Sequence, residues 1–599
     1  MGGFGGCKNA PKRPYFFAMT EKTDTALILC AGYGSRLRPL TDKLPKPLLP
    51  VRGRPILFSI LDKLRAAGIG RFFVNVHHRP EAFAEAFGLA ADTFAGGART
   101  AQTQYYGCPL VLVYEPEILE TGGAVANLLE YMDKSASLAV HNGDILFDAD
   151  ASEFLARAAE NLSDPKCCAT LCLRSGGNLS NVGVDAGGDV CDMRFTLKSP
   201  YEKLAQYTGF CVLNPRSYDY FAAADRPKFS IVETFCKMLS DGKRIGGVFC
   251  DGGEWADIGT RGEFARLNAG GLPDEWTVLA RLCDAGFSPD GAELSAVAKG
   301  ASTRRFFKFK TGGRGRVACF YSDTPRENYL YAPLAKFLHS RGIPVPEIFF
   351  DDPDGRVIIM QDAGGADLGE VPDSIRSDSY FAALRAAKKL HSLRASEFAA
   401  AGIELCAPFD KALYDWEQDY FFRECARGAF GLDLPRPDAD FSRIYSVLAS
   451  VPSVPLFRDF QSQNVIVDDS EKTVKVIDFQ GMRLGNPFYD VASLLFDPYI
   501  KKPFSDDFID AALREYLGAG ASEADFARAQ KMLYFAGAER LLQALGAYGF
   551  LSQKRGRTEY VKFFKPAARN LLACADRCGL AQIADFAGQI IKKSEKFSD

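Results

Sequence analysis

The feature that most constrains the fold is a glycine-bearing turn that directly follows an apolar run near the start of the chain. The run covers residues 26–29, and the turn contains Gly32 and Gly34, followed by Arg36 and, ten residues later, Lys46. Glycines let consecutive backbone N–H groups approach an anion closely, because no Cβ atom stands in the way. A purely structural turn needs neither cation. The stretch therefore predicts a β-strand that leads into a phosphate-binding loop.

Short apolar runs alternate with helical patterns from residue 25 to about residue 265. The predicted strands are 26–29, 72–76, 110–114 and 138–141, and the predicted helices are 56–67, 81–89 and 123–132. Strands separated by helices of this length form βαβ units, so we expect a mainly parallel, Rossmann-like, doubly wound α/β domain. Ligands of such sheets bind at the carboxyl ends of the strands, where the glycine turn lies.

The second half has a different pattern. After a glycine- and proline-containing junction at 267–275, residues 304–321 show a hairpin pattern about a Gly-Gly turn, and the chain is mostly helical from residue 378. A small β-rich lobe followed by a larger helical lobe predicts a bilobal, protein-kinase-like α+β domain. We therefore predict a flexible N-terminal extension at 1–22, with Met19 as an alternative start, a first domain at 23–270 and a second at 275–599.

Composition narrows the classes of partner. The 599 residues are too many for one core, and a prior of roughly 150 residues per domain allows two to four domains. A net charge of −3 does not favour nucleic acid or an anionic membrane, and no run of 18 apolar residues predicts a membrane span. The 16 cysteines include no Cys-x-x-Cys pair, which favours reduced thiols over a disulfide framework or a zinc site. We expect a cytoplasmic protein with small-molecule partners and without bound nucleic acid or membrane insertion; the oligomeric state is not predicted.

Two aspartates in the first half are candidates for a metal site. Asp144 follows a predicted strand in His-Asn-Gly-Asp, and Asp257 lies in Trp-Ala-Asp-Ile-Gly-Thr. One aspartate after Asn-Gly is usually part of a turn. Two of them in a domain that already contains a phosphate-binding loop favour a magnesium pair, because phosphate transfer commonly uses carboxylate-bound Mg²⁺.

The motifs of the first half resemble those of the sugar-1-phosphate nucleotidylyltransferases. They are Ala31-Gly32-Tyr33-Gly34-Ser35-Arg36-Leu37, Pro45-Lys46-Pro47, Glu120-Thr121-Gly122-Gly123, Asn142-Gly143-Asp144 and Trp255-Ala256-Asp257-Ile258-Gly259-Thr260. In that family an oxygen of the sugar-1-phosphate attacks the α-phosphorus of a nucleoside triphosphate and expels pyrophosphate. The most similar subgroup is that of the N-acetylmuramate-1-phosphate uridylyltransferases. A Glu-Lys pair of many relatives is missing, and neither Lys198 nor Lys203 is assigned to its role.

The resemblance implies roles for individual residues. Arg36 and Lys46 are the implied catalytic residues, the first holding the triphosphate and the second stabilising charge at the transferred group. Asp144 and Asp257 would hold Mg²⁺, or alternatively Mn²⁺. The implied nucleotide-binding residues are Ala31, Gly32, Gly34, Ser35, Arg36, Gly122 and Gly123, and the implied substrate-binding residues are Glu120, Thr121, Asn142 and Gly209.

A second set of polar residues lies in the helical half. Asp459 precedes Asn464 by five residues, and Asp478 follows fourteen residues later at the end of an apolar run. Kinases use this spacing, in which the first aspartate accepts the proton of the acceptor hydroxyl and the other two residues share the metal. The structural alternative is a pair of solvated hairpin ends.

These motifs and a downstream segment containing Asp490 resemble the aminoglycoside phosphotransferase and choline kinase superfamily. Within it, residues 300–307 are similar to the nucleotide loop of anomeric sugar kinases, which implies ATP binding by Gly300 and Ser302. Phe457 replaces the usual histidine, and no strand lysine is evident. Arg304 or Arg305 either supplies the missing charge or is a solvated strand residue. We expect Asp490 to anchor the catalytic segment, and His339 and His391 to be packing residues.

The leading hypothesis is a bifunctional enzyme in which a kinase makes a sugar-1-phosphate from ATP and a nucleotidyltransferase converts it, with UTP or another nucleoside triphosphate, into a nucleotide sugar. The acceptor would be an N-acetylmuramate- or N-acetylglucosamine-type sugar. One alternative is a choline kinase fused to a phosphocholine cytidylyltransferase, with an aromatic cage formed by residues 414–422. Another is a degenerate, regulatory kinase half, for which the substitution by Phe457 and the missing lysine are the arguments.

Overall fold

The computed structural model describes residues 23–177, 180–269, 273–297, 304–468 and 473–595. The predicted extension at 1–22 lies outside them. The chain divides into two compact units, with the boundary between Ala292 and Glu293. This boundary is downstream of the junction expected at 267–275. Helix 275–284 packs on the preceding helix of the first unit, and Arg261 Nε lies 2.8 Å from Asp284 Oδ1.

The first unit contains fourteen strands within the described residues. They are β1 Thr25–Leu29, β2 Pro50–Val51, β3 Arg54–Pro55, β4 Arg71–Val76, β5 Thr100–Tyr105, β6 Cys108–Tyr114, β7 Leu138–Asn142, β8 Ile145–Phe147, β9 Cys167–Arg174, β10 Val182–Val184, β11 Val190–Met193, β12 Lys203–Leu213, β13 Arg244–Phe249 and β14 Trp255–Asp257. Its helices are α1 Leu40–Lys43, α2 Ile56–Ala66, α3 Pro80–Ala86, α4 Glu120–Leu128, α5 Ala151–Leu162, α6 Tyr218–Ala222, α7 Ile231–Ser240, α8 Arg261–Leu267 and α9 Glu275–Asp284. Each strand and helix predicted for this half is present, but α4 begins three residues and ends four residues before the predicted helix 123–132, and α3 ends three residues before the predicted helix 81–89.

The main sheet of the first unit has the order β11-β10-β12-β7-β1-β4-β6-β5, and β9 joins it beside β12 and carries β13. The four central strands β7, β1, β4 and β6 are parallel, as predicted. Strands β5 and β12 are antiparallel to their neighbours, so the sheet is mixed at its flanks. For β5 the reason is local, because a tight turn at Tyr106 and Gly107, both with positive φ, joins it to β6.

Both faces of this sheet are buried, and successive side chains along each central strand point to opposite faces. Leu27 and Ile28, adjacent on β1, are both fully buried, and they point to opposite faces. The Leu27 face packs against α4 and α7. On the other face, α5 places Phe154 4.5 Å from the ring of Phe210 on β12. Burial on both faces explains why the strands read as continuous apolar runs.

The second unit contains two lobes. Its strands are β15 Ser295–Val297, β16 Arg305–Thr311, β17 Arg314–Phe320, β18 Ile348–Asp352, β19 Val357–Gln361, β20 Ala366–Asp367, β21 Val454–Leu456, β22 Val465–Asp468, β23 Thr473–Val476 and β24 Arg483–Gly485. Its helices are α10 Tyr331–Ser340, α11 Asp373–His391, α12 Ala395–Ala400, α13 Lys411–Tyr420, α14 Asp438–Leu448, α15 Phe488–Leu495, α16 Asp506–Leu517, α17 Glu523–Lys554, α18 Phe564–Cys578 and α19 Ala581–Ser594.

The small lobe is an antiparallel sheet of order β15-β16-β17-β19-β18, next to which α10 packs on β18. In the large lobe the 32-residue helix α17 is surrounded by α13, α14, α15, α16 and α18. Two short ribbons, β20-β22-β23 and β21-β24, carry the loops with the predicted kinase residues. This arrangement agrees with the predicted bilobal, kinase-like domain. In the part of the chain that is described, no helix has both the length and the apolar character needed to cross a membrane.

Candidate active sites

The loop after β1 contains two glycines, and close packing requires a glycine at Gly34 but not at Gly32. Gly34 has φ = 63°, and a Cβ atom there would lie 2.7 Å from Thr41 Cγ2. The Thr41 hydroxyl donates to the Gly34 carbonyl at 3.0 Å, which closes the turn before the helical turn Ser35–Leu37. A Cβ atom on Gly32 would meet nothing within 4 Å. Gly32 and Ser35 are exposed while Ala31 is buried beneath them, so open space adjoins the predicted phosphate-binding backbone.

A buried polar chain that sequence reasoning missed supports this loop. The Cys30 N–H donates to Asn75 Oδ1 at 2.7 Å, and Asn75 Nδ2 donates to Glu115 Oε1 at 2.9 Å. Burial raises the pKa of Glu115, while the bonds from Asn75 and the Leu119 N–H oppose that rise. The signal was a single asparagine inside an apolar strand, because a buried amide is kept only where it is hydrogen-bonded.

Lys46, Asp144 and Asp257 meet at the carboxyl end of the sheet. Lys46 Nζ lies 2.5 Å from Asp144 Oδ2 and 3.2 Å from Asp257 Oδ1, and the Lys46 side chain is only 10% exposed. The two aspartates are brought together by pairing of β8 with β14, in which Ile145 faces Asp257. Sequence motifs 98 and 211 residues from Lys46 thus converge on its ammonium group.

This carboxylate pair fits a divalent cation. Both aspartates reach one cationic centre and offer only oxygen ligands, which is the donor type that Mg²⁺ prefers. Magnesium sites commonly use one or two carboxylates together with substrate phosphates. Among the described residues there is no group of three or more His, Cys, Asp or Glu side chains that could hold a metal. The metal role of Asp144 and Asp257 stays a prediction that the geometry supports.

Arg36 is positioned by a glycine that the sequence motifs contained but to which no role was assigned. A Cβ atom on Gly259 would lie 3.0 Å from Arg36 Nη2 and 3.2 Å from its Cζ. The guanidinium therefore lies directly on the Gly259 backbone. Arg36 is exposed and makes no hydrogen bond or ion pair with any residue in the described ranges. Its charge remains available to an anionic ligand.

Asn142 and Gly209 are in contact at the end of β7. Gly209 has φ = 84°, and a Cβ atom there would lie 2.8 Å from Asn142 Nδ2. Gly143, between Asn142 and Asp144, is required by close packing, since its Cβ atom would lie 2.5 Å from Cys30 Sγ. Two of the predicted substrate-binding residues thus lie together beside Asp144, although their substrate contacts stay a prediction.

The Glu120–Gly123 turn is occupied by contacts within the protein. The Gly122 and Gly123 N–H groups both donate to the Phe229 carbonyl, at 2.9 and 3.2 Å, and Thr121 Oγ1 accepts from the Ile231 N–H at 2.9 Å. The N–H groups of both glycines are therefore not free for a phosphate, and the structure gives them a packing role between α4 and α7. Of the four residues only Glu120 is exposed, with its carboxylate 3.9 Å from Lys228 Nζ. The predicted ligand contacts of this turn stay predictions.

In the second unit, Asp490 anchors the segment that carries Asp459. Its two oxygens accept the N–H groups of Phe457 and Arg458 at 2.8 and 2.9 Å, and its Oδ2 lies 3.1 Å from His391 Nε2. Asp490 is fully buried. The geometry agrees with the anchoring role expected from sequence and with His391 as a packing residue. Phe457, which replaces the histidine expected from the motif resemblance, is buried, and its ring stacks on Phe460 with centroids 5.0 Å apart.

Asp459, Asn464 and Asp478 are linked through the β22-β23 ribbon. Asn464 Nδ2 donates to the Asp459 carbonyl at 2.9 Å, and the Ile477 N–H, next to Asp478, donates to the Asn464 carbonyl at 2.8 Å. Asp478 and Arg458 have φ values of 65° and 72°. Left-handed backbone in non-glycine residues is uncommon and concentrates at functional sites. These φ values favour a functional site over a pair of solvated hairpin ends, and the catalytic and metal-binding roles of the three residues stay predictions.

Arg304 rather than Arg305 provides a charge to this site. The Arg304 guanidinium forms an ion pair with Asp478 Oδ1, and its Nη1 lies 2.9 Å from Gln480 Oε1. Burial lowers the pKa of Arg304, but the charge and hydrogen bond of Asp478 produce a net rise. Arg305 instead lies 5.1 Å from the ring of Phe307. Gly300 and Ser302, the predicted nucleotide-binding residues, lie outside the described residues.

The aromatic segment that might have formed a choline cage is mostly core. Tyr414, Phe421 and Phe422 are buried, and the last two pack on Phe586. Trp416 is 49% exposed but stacks on Tyr420, with centroids 5.0 Å apart. Most rings of this segment are therefore used for packing within the protein, and Trp416 is the one that is largely exposed among the described residues 414–422.

Two family models match the chain, one in each unit. Residues 25–270 match the nucleotidyl transferase family, and residues 293–531 match the phosphotransferase enzyme family, APH. Both matches agree with the resemblances drawn from the motifs.

Several curated proteins are similar to part of this chain. A mannose-1-phosphate guanylyltransferase of Mycobacterium tuberculosis is 31% identical over 252 residues, which cover 42% of this chain and 65% of the relative. Two N-acetylmuramate alpha-1-phosphate uridylyltransferases also match. That of Neisseria meningitidis is 38% identical, and the match covers 21% of this chain and 48% of the relative. That of Caulobacter vibrioides is 27% identical, and the match covers 40% of this chain and 94% of the relative. The chain thus spans less than two thirds of the length of the first of these relatives. Together, the fold, the site geometry and the two family matches show that this chain joins a domain of the nucleotidyl transferase family to a domain of the phosphotransferase enzyme family.

Proposed function

We propose that the chain is a bifunctional sugar-activating enzyme. Its second unit would phosphorylate the anomeric hydroxyl of an N-acetylated amino sugar with ATP, and its first unit would convert the sugar-1-phosphate and UTP into a UDP-sugar and pyrophosphate. The observation that carries this proposal is the convergence of Lys46, Asp144 and Asp257 in a domain fused to a kinase-family domain. The two reactions fit together because the product of one is the kind of substrate that the other consumes.

The assignment of the sugar and the base rests on the relatives. Two of them are named as N-acetylmuramate alpha-1-phosphate uridylyltransferases, which supports uridylyl transfer to an N-acetylmuramate-type sugar phosphate here. Other relatives act as guanylyltransferases by name, so the choice of UTP is part of the proposal. A cytoplasmic location stays a prediction.

In the nucleotidyltransferase half, the sugar phosphate oxygen would attack the α-phosphorus of UTP while pyrophosphate leaves. The exposed backbone from Gly32 to Ser35 would bind the triphosphate together with the Arg36 guanidinium, which has no ion-pair partner among the described residues. Lys46 would stabilise the negative charge that develops on the transferred group. Asp144 and Asp257 would hold a divalent cation, Mg²⁺ or Mn²⁺, which neutralises phosphate charge.

In the kinase half, Asp459 would accept the proton of the sugar hydroxyl as that oxygen attacks the γ-phosphorus of ATP. Asn464 and Asp478 would hold the metal that accompanies ATP. Arg304, ion-paired with Asp478, would supply the positive charge for which β17 offers no lysine. This assignment would answer one of the two arguments for a degenerate kinase half, the missing lysine, and leaves the argument from Phe457 unchanged.

A coupled assay with N-acetylmuramate, ATP and UTP tests the proposal, with UDP-sugar measured by mass spectrometry. Asp459→Asn should abolish phosphorylation but leave UDP-sugar formation from supplied sugar-1-phosphate within about twofold of wild type, because the two reactions use separate residues. Lys46→Ala should leave phosphorylation intact and slow UDP-sugar formation from supplied sugar-1-phosphate, since removal of one electrostatic donor costs about 10²–10³-fold in rate. Absence of UDP-sugar across a panel of amino sugars and all four nucleoside triphosphates would refute the proposed function.

A further inference from the structure

The phosphate-binding loop after β1 contains an aromatic residue, Tyr33, which the sequence motifs leave without a role. Tyr33 lies between the two glycines of the loop and is 50% exposed. Within the part of the chain that the structure describes, the backbone N–H groups of residues 31–36 have no hydrogen-bond acceptor. Consecutive unpaired N–H groups can bind an anion, but they contribute no hydrogen bonds that hold the loop itself. The position of this segment therefore depends on contacts with other parts of the chain.

The Tyr33 side chain is held by the two histidines that follow β4. His77 Nε2 lies 3.1 Å from the Tyr33 hydroxyl oxygen, and the two rings meet edge to face with centroids 5.2 Å apart. The His78 ring also contacts Tyr33, with centroids 5.8 Å apart. His77 Nδ1 lies 2.7 Å from the Glu115 carbonyl oxygen, which can only accept a hydrogen bond. Nδ1 therefore carries a proton, and in the neutral ring Nε2 accepts the Tyr33 hydroxyl.

The loop is also fastened on both sides of Tyr33. Before it, the Asn75 side chain accepts the Cys30 N–H at 2.7 Å. After it, His78 Nε2 lies 2.9 Å from the Thr41 carbonyl oxygen, and the Thr41 hydroxyl donates to the carbonyl of the second glycine of the loop at 3.0 Å. Side chains at the carboxyl end of β4 thus hold the loop at three points. The attachment through Tyr33 lies between the other two, in the segment that carries the unpaired N–H groups.

We propose that Tyr33 and His77 are positioning residues, which hold the N–H groups of residues 31–36 in the arrangement that binds the triphosphate. This inference rests on the proposed nucleotidyltransferase function and adds two residues that act through the loop backbone. Donors that are already in place on the free protein need not be ordered by the ligand, so a preorganised loop binds an anion more tightly. Because these N–H groups bind phosphate and not the base, the contribution is the same for every nucleoside triphosphate that the first unit accepts.

The first test is Tyr33→Phe in the full chain, which removes the hydroxyl and keeps the ring. It should raise the KM for UTP in nucleotide-sugar formation about 3- to 10-fold, the effect expected for one hydrogen bond between neutral groups. The KM for the sugar-1-phosphate and the rate of the kinase reaction should stay within about twofold of wild type. Calorimetric binding of UTP with Mg²⁺ should weaken by the same factor as the KM rises. Tyr131→Phe, at an exposed tyrosine of the same unit, is the matched control and should change none of these values.

A double-mutant cycle tests whether the two residues act through one contact. His77→Ala should raise the KM for UTP at least as much as Tyr33→Phe does. The double variant should be no worse than His77→Ala alone, because the hydrogen bond between the two side chains can be lost only once. His77→Gln, whose amide oxygen can accept the Tyr33 hydroxyl, should recover part of the affinity and guards against misfolding of the alanine variant. Additive effects of Tyr33→Phe and His77→Ala would overturn the proposal.

The remaining outcomes separate this inference from the proposed function. Equal increases in the KM values for UTP and the sugar-1-phosphate would indicate a general structural role for Tyr33 and overturn the inference. If wild type forms a nucleotide sugar and Tyr33→Phe leaves the KM for UTP within twofold, the inference fails and the proposed function stands. If wild type forms no nucleotide sugar but binds a nucleoside triphosphate, and Tyr33→Phe weakens that binding, the proposed function fails and the inference stands. Absence of triphosphate binding to wild type would refute both.

Discussion

Replacement of Asp490 by asparagine should damage the kinase half by releasing the segment that carries Asp459. The carboxylate accepts two backbone N–H groups, from Phe457 and Arg458, and it also contacts His391. Asparagine has one carbonyl oxygen, so its amide nitrogen would face one of these donors and leave it unpaired. The position is fully buried, and water cannot replace the lost acceptor.

The magnitude follows from these contacts. A hydrogen bond to a charged group contributes about 1.5–3 kcal/mol, and an unpaired buried donor costs about 1–3 kcal/mol. The asparagine variant loses one of the two hydrogen bonds, and the other is made to a neutral instead of a charged oxygen. We therefore expect the free energy of unfolding of the second unit to fall by about 3 kcal/mol. Displacement of Asp459 should also lower the rate of phosphorylation, by about 10- to 100-fold, since small misplacements of catalytic groups are costly.

Guanidinium denaturation of the full chain, together with separate kinase and nucleotidyltransferase assays, would measure these effects. Nucleotidyl transfer from supplied sugar-1-phosphate should be unchanged. The matched control is Asp415→Asn, an exposed aspartate of the same lobe, which should shift stability by no more than about 0.5 kcal/mol. If Asp490→Asn behaved like this control and kept kinase activity within twofold, the anchoring argument would be wrong.

Two further predictions concern Arg36 and the buried acid Glu417. Gly259→Ala should lower the rate of nucleotidyl transfer at least tenfold with stability nearly unchanged, because the new methyl group displaces only the flexible guanidinium of Arg36. The control is Gly252→Ala, whose methyl group meets nothing within 4 Å and which should be neutral. Equal activity of the two variants in a pyrophosphate-release assay would contradict this. For Glu417, burial raises the pKa from 4.5 to about 7, so the folded protein binds this proton more tightly than the unfolded chain does. The stability that proton binding contributes to the folded protein is therefore fully present below pH 4.5 and is lost as pH rises through about 7. Glu417→Gln should therefore flatten the decline of urea midpoints between pH 5 and pH 8, and parallel slopes for the two proteins would count against the assignment.

The outcome for particular residues shows which inferences sequence supports. Lys46, Asp144 and Asp257 could be identified because each lies in a motif whose residue types fit phosphate chemistry, and the structure brings them together. The contact of Arg36 with Gly259 could not, because nothing local to either residue specifies a partner more than 200 residues away. Gly122 and Gly123 illustrate an ambiguity that the sequence leaves open. A glycine pair in a turn has the same sequence pattern whether its N–H groups face a ligand or a neighbouring carbonyl.

The sequence by itself determined the features that depend on local backbone chemistry and periodicity. These are the alternation of strands and helices in the first unit, the glycine-bearing turn that contains Gly34 and the kinase-like spacing of the second half. Tertiary structure alone decided which charges meet: Arg304 rather than Arg305 reaches Asp478, and Lys46 meets both Asp144 and Asp257. The physical reason is that backbone preferences act over a few residues, whereas the burial and pairing of a charge depend on every element that packs around it.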